Sequence, residues 1–259
     1  MLTFFRRIRK GLLGSGAHPN GLMSGQAGRY LLYAIGELTL VVIGILIAIQ
    51  INSWYQSQKE INEEKVMISR ILEELEDDKD RLVNVDSIYA QNLPELERIF
   101  FLIDKKNDID DVNEITKNYH TRIDELKASK VTFEEMKNTG RIYRLSNPDL
   151  KDALISYYSN FEEQQHETKQ DRVELGTFFF DHSNYAFWSW VQKLRKKQVI
   201  SNQLFEWIND PNSLEWKYFE ISIGFYQSTL RKHRIIIEEL LNSNEALRNL
   251  IKNELKEMD

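Results

Sequence analysis

Residues 30 to 51, YLLYAIGELTLVVIGILIAIQI, hold one charged side chain, Glu37, among neighbours suited to hydrocarbon. Twenty-two residues in helical conformation span roughly 33 Å at about 1.5 Å per residue, enough to cross a hydrocarbon core of about 30 Å. A core helix of a soluble domain would have a shorter apolar run with amphipathic helices on both sides, whereas here the upstream side is a loose tail. A cleaved signal peptide would be shorter, would start earlier and would end in small residues; this run continues into Asn52 and Trp54. The expected element is an uncleaved signal anchor.

Charge gives the anchor a direction. Residues 1–29 contain Arg6, Arg7, Arg9, Lys10 and Arg29 and no acidic residue, so the tail carries +5, while the whole chain carries -6 and the remainder therefore -11. Basic segments beside a span stay cytoplasmic, which sends the chain beyond Ile51 to the far side. Trp54 and Tyr55 then fall at the outer headgroup level and Tyr30 and Tyr33 at the inner one, in the manner of an aromatic belt. The lack of cysteine is compatible with an oxidising compartment and does not require one. The predicted organisation is a basic, glycine-rich cytoplasmic tail at 1–29, a transmembrane helix at 30–51 and an extracytoplasmic helical domain at 52–259.

The tail has two parts. MLTFFRRIRKGLL sets Phe5, Ile8 and Leu12 at helical spacing among Arg6, Arg7, Arg9 and Lys10, a pattern suited to lying on an anionic leaflet; a purely topogenic role is the plainer reading. The following GLLGSGAHPNGLMSGQAG holds six of the eleven glycines and reads as a flexible connector. It lacks the Lys and Ser/Thr ending of a phosphate-binding loop.

Past the anchor a seven-residue repeat runs through Ile61, Ile68, Leu75, Leu82, Tyr89, Leu96 and Ile103. Ile71, Val85 and Ile99 supply a partial second column three residues on, which Glu64, Asp78 and Asn92 interrupt. One apolar seam with a broken second column predicts a long helix packed on other helices. Pro94 is expected to end that helix near Leu93 and start another. KKNDIDD, from Lys105, is a polar break, and a helix is expected to follow it through Leu126. Thr132 and Glu135 have the spacing of a capping box, and Gly140 is placed to close that helix in a left-handed conformation. Asn147–Pro148 reads as a cap and first turn for a helix through Tyr158 and beyond, and Pro211, Asn212 and Glu215 as the start of a last helix. No strand-like alternation bounded by turn pairs is present, so the predicted fold is all-α: one transmembrane helix continuing into a long helix, followed by a helical bundle.

RYLLYAIGELTLVVIGILIAIQINSW, with FFRRIRK before it and TFEEMKNTGRIYRLSNPDLKDALISYY after it, resembles an uncharacterised family of single-span membrane proteins of Bacteroidetes. The resemblance implies a cell-envelope protein of a Gram-negative bacterium with its large domain in the periplasm, and the expected location is the inner membrane. It implies no activity.

Two features ask for a functional reading. An ionised Glu37 about 10 Å inside the span would cost at least a few kcal/mol, so the carboxyl is protonated, paired or in reach of water. Gly36, Gly44 and Ala48 form a stripe of small residues that lets a second helix backbone approach, with Glu37 beside it. The expectation is a partner-helix contact on this face, made with another membrane protein or a second copy; a neutral acid tolerated by snorkelling is the alternative. FFFDHSNYAFWSW, residues 178 to 190, has seven aromatics in thirteen positions. It reads first as core; as a surface, Phe180, His182, Trp188 and Trp190 would be a ligand or partner patch. Lys193, Arg195, Lys196 and Lys197 form a short basic run on an acidic domain, and no nucleic-acid binding is expected.

Catalytic signatures are missing. The five histidines show no metal-ligand spacing, and no nucleophile elbow or dinucleotide fingerprint occurs. Glu73, Glu74, Asp77 and Asp78 are assigned to the charged sides of the long helix. The sequence predicts a non-enzyme without cofactor or metal, acting as a subunit or scaffold of a membrane-protein assembly, with a periplasmic sensor or ligand-binding bundle as the other possibility.

Overall fold

The computed structural model describes residues 26–105, 123–180, 210 and 212–258. Among these the chain is all-α: α1 (Gln26–Lys105), α2 (Val131–Asn138), a 310 turn (Arg141–Arg144), α3 (Pro148–Phe180) and α4 (Leu214–Glu257). The chain divides into two units, Met1–Asn62 and Glu63–Asp259.

In the first unit the described residues are α1 alone. From Tyr30 to Asn62 every side chain is exposed, around the whole circumference of the helix. The segment is long and apolar enough to cross a membrane by length and composition.

The second unit is a bundle held by three seams. On α1, Ile68, Leu75, Leu82, Tyr89 and Leu96 are each at most 2% exposed, and Ile71 and Ile99 join them from the second column. Of the remaining repeat positions, Ile61 is exposed and the Ile103 side chain lies outside the described residues. On α4 the buried positions Trp216, Phe219, Ile223, Tyr226, Leu230, His233, Ile237, Leu240, Asn244, Leu247, Ile251 and Glu254 advance by alternating steps of three and four. That average of about 3.5 keeps one face of a helix turned to its neighbours, as in coiled-coil packing. α3 contributes Leu150, Leu154, Tyr157, Phe161, Thr168 and Leu175 at compatible spacing. Each fully buried Leu or Ile supplies about 1.5–3 kcal/mol of transfer free energy.

Ion pairs fix the helix directions. Arg248 meets Glu76, Arg234 meets Asp86 at 2.7 Å and Arg231 meets Glu97 at 2.9 Å, so α4 descends as α1 ascends. Asn147 Nδ2 donates to Glu254 Oε2 at 2.5 Å and Asp171 meets His233 at 3.0 Å, so α3 and α4 are antiparallel as well. α1 and α3 therefore run parallel, and the chain between them returns along α1.

That return segment, 123–147, is where sequence and structure part. Residues 123–130 have no regular secondary structure, so the helix expected through Leu126 is absent there; residues 106–122 lie outside the described residues. Thr132 does not cap α2. It lies inside the helix, whose N-cap position is Lys130 with no side-chain cap bond. Its amide (3.0 Å) and hydroxyl (2.7 Å) both donate to Glu74 Oε1, a cap supplied by α1. α1 also runs through Pro94 without ending. Pro94 is exposed, and Leu96 and Ile99, just beyond it, are buried in the bundle, which holds the helix despite the missing backbone donor. Two expectations hold: Gly140 follows α2 with φ 71°, and Asn147 Oδ1 accepts the amides of Asp149 (2.9 Å) and Leu150 (3.2 Å) at the start of α3. α4 starts on Ser213, whose hydroxyl accepts the Trp216 amide at 3.2 Å.

Candidate functional site

α1 is regular from Gln26, so its face geometry in the apolar segment follows from about 100° per residue. Glu37, Gly44 and Ala48 fall within about 40° of one another, and Gly36 lies some 80° or more to one side. Glu37 is therefore on the small-residue stripe, with Gly36 at its flank. Among the described residues, the nearby backbone of α1 itself aside, no atom lies within 4 Å of a Cβ built on Gly36 or Gly44, so the stripe is open there. Trp54 and Tyr55 are each 65% exposed, farther along the same helix. Thr39 satisfies its hydroxyl by donating to the Ile35 carbonyl at 2.8 Å, as a polar residue in an apolar helix commonly does. Arg6, Arg7, Arg9 and Lys10 lie outside the described residues, as do His182, Trp188, Trp190 and the side chain of Phe180.

The second unit holds a polar layer that the sequence reading assigned to solvent. An irregular segment packed on a helix must find acceptors for its amides. α1 provides them in order. The Tyr89 hydroxyl accepts the Asp124 amide (3.0 Å), Asp78 Oδ1 that of Ser129 (2.8 Å), Glu74 Oε1 that of Thr132 (3.0 Å) and Glu64 Oε1 that of Ser146 (3.0 Å). Glu64 and Asp78 are two of the three residues that break the second apolar column. Asp78 and Glu74 are not on the charged side of α1: Asp78 is fully buried and Glu74 partly so, while Glu73 and Asp77 are exposed as expected. Burial pushes the Asp78 carboxyl above the usual carboxylate range, against the Ser129 amide and the Arg81 guanidinium, which favour its charge.

Asn244 ties this layer to all three long helices. Its Nδ2 donates to the Leu75 carbonyl at 2.9 Å and to the Tyr157 hydroxyl at 3.1 Å. A buried amide on a seam fixes the register of the helices it joins. Burial raises the pKa of both Tyr157 and Tyr158, keeping the phenols neutral.

Farther along the bundle His233, fully buried, places Nε2 3.0 Å from Asp171 Oδ2, and Lys232 Nζ meets the same oxygen at 2.9 Å and Glu167 at 2.8 Å. Burial lowers the His233 pKa, with Asp171 opposing. The ring therefore works as a neutral donor to Asp171. Both His233 and Asn244 sit on the α4 seam, so its three-four spacing was the sequence signal that could have found them.

Two depressions mark the bundle surface. A cleft of about 80 Å³ lies between α2 and α3, floored by Phe133, Ile142 and Tyr158 and rimmed by Lys130 and Glu162. A groove of about 530 Å³ lies between α1 and α4, with Leu93, Ile235 and Leu241 among Asp86, Arg231 and Arg234. Among the described residues no three His, Cys, Asp or Glu side chains are grouped so as to hold a metal ion.

Residues 37–157, just under half of the chain, match a family of unknown function (DUF6090). The match takes in α1 from Glu37, the return segment and α3 as far as Tyr157, and hence every α1 acceptor of the polar layer. No curated protein and no solved structure matches the chain.

Proposed function

We propose that the chain is a single-pass protein of a bacterial inner membrane that serves as a subunit or scaffold of a membrane-protein assembly. Its 30–51 helix crosses the bilayer, residues 1–29 stay in the cytoplasm and the helical domain stands in the periplasm. The observation that carries the reading is the contrast along α1: among the described residues none covers the helix from Tyr30 to Asn62, and its Glu37–Gly44–Ala48 stripe is open to close approach. A helix that is apolar all round needs a lipid or protein surround. A carboxyl inside it favours a face-specific protein contact, because hydrocarbon offers no hydrogen-bond partner. Gram-negative placement rests on the resemblance of the membrane segment and on the basic tail.

The chain has no cysteine, so single cysteines report topology without background. In intact cells a Ser15→Cys variant should resist a membrane-impermeant thiol reagent that labels Ser156→Cys once the outer membrane is opened. Equal labelling of both, or labelling of neither before lysis of the inner membrane, would overturn the proposed topology.

A second reading, a periplasmic ligand-binding bundle, is favoured by the 530 Å³ groove with its mixed apolar and charged lining. Such a bundle would signal through a partner.

A further inference from the structure

The polar layer of the bundle contains more hydrogen-bonding capacity than its own residues use. Five buried side-chain atoms there have no hydrogen-bond partner among the described residues: Glu74 Oε2, Asp78 Oδ2, Asn244 Oδ1, the Tyr158 hydroxyl and Arg248 Nε. They come from all three long helices. Tyr158 is 4% exposed and Asn244 and Asp78 are fully buried, so bulk solvent does not reach them. Their groups share one locality. Phe133, which follows the Thr132 held by Glu74, stacks on Tyr158 at 4.2 Å between ring centroids, and Asn244, one turn before Arg248 on α4, donates to the Tyr157 hydroxyl at 3.1 Å and to the Leu75 carbonyl at 2.9 Å.

The chemistry of the set is balanced. Two carboxylate oxygens and an amide oxygen accept, a guanidinium N–H donates, and a phenol can do either. Leaving one such atom buried and unpaired costs about 1–3 kcal/mol, and buried polar groups in folded proteins are for the most part paired with protein groups or with ordered water. Among the described residues no group of carboxylates and histidines suits a metal ion, and Arg81 and Arg248 set positive charge beside the carboxylates. A neutral guest that donates and accepts at once matches the donor and acceptor character of the set.

We propose that this layer is a built internal hydration site, in which ordered water joins Tyr158 and Arg248 to Glu74, Asp78 and Asn244. Glu74 and Asp78 each spend one oxygen on the return segment, at Thr132 and Ser129, and turn the other to the water. The water then links the α1 clamp on the return segment to α3 and α4. Tyr158 also lines the 80 Å³ cleft between α2 and α3, where Phe133 stacks on it at 4.2 Å between ring centroids.

The test uses the full chain in detergent micelles and two readouts. Thermal unfolding of Tyr158→Phe should fall by about 2–4 °C, since the variant removes a bridged hydroxyl; a rise would overturn the proposal, because deleting a truly unpaired buried hydroxyl relieves a cost. Wild-type protein should also show cross-relaxation between long-lived water and the Arg248 Nε–H and Asn244 side-chain amide protons. Protected protons without that signal would overturn the proposal even if Tyr158→Phe is destabilised, since the phenol would then bond a carboxylate directly.

Discussion

Two stretches of α1 obey different rules although no break separates them. Between Tyr30 and Ile51 apolar side chains point in every direction and all are exposed; between Ile68 and Ile99 the buried ones form one stripe in the bundle core, while Val83 off that stripe is exposed. The first pattern suits a surround that is apolar on all sides, the second a surround that is half protein and half water. The same contrast locates the meaning of a carboxylate. Glu37 is exposed among the described residues, whereas Glu74 and Asp78 are inward groups that hold the return segment.

The contrast predicts unequal sensitivities. Leu240→Ala, at a fully buried seam position, should lower the unfolding free energy of the bundle by about 2–5 kcal/mol. Leu46→Ala, at 55% exposure in the apolar segment, should leave the same transition in place; comparable losses in calorimetry of the two variants would break the distinction. Next in size, Glu74→Ala removes the acceptor of two Thr132 bonds and should cost about 1–3 kcal/mol. Amide exchange should show the loss first between Ser129 and Asn138, while α4 keeps its protection.

Two buried titrating groups of the second unit, His233 and Asp78, should pull stability in opposite directions. His233 has a folded pKa below its ordinary 6.5, so the unfolded chain binds more protons and stability falls as pH drops below about 6.5. Asp78 has a folded pKa above its ordinary 3.8, so the folded chain binds more protons and stability falls as pH rises from 3.8 through the folded value. Asp78→Asn should abolish the second slope and His233→Leu the first, as read from denaturant midpoints across pH. The smallest effect belongs to Arg231→Ala, which breaks an exposed pair with Glu97 and should change stability by less than about 1 kcal/mol.

What was legible in the sequence follows the range of the interaction that decides it. The α1 seam, the Asn147–Pro148 start of α3 and the left-handed Gly140 depend on neighbours a few residues away, and they are found where expected. The cap of α2 does not: Thr132 and Glu135 had the right spacing, but Glu74, 58 positions upstream, takes both Thr132 donors. Pro94 failed as a helix end because tertiary packing outweighs one missing bond. The break of the second column by Glu64 and Asp78 was visible as a defect, and its purpose became visible only once the return segment lay against it. The α4 seam with His233 and Asn244 was readable from spacing alone. The small-residue stripe around Glu37 is equally readable from spacing, and its role depends on molecules outside this chain.

The most direct test of the proposed assembly is crosslinking from position 37. A photoreactive residue placed there in native membranes should yield, on irradiation, a defined protein adduct, whether a second copy of the chain or another membrane protein, and the yield should fall when Gly44→Leu closes the stripe. Adducts with lipid alone, unchanged by Gly44→Leu, would contradict the account.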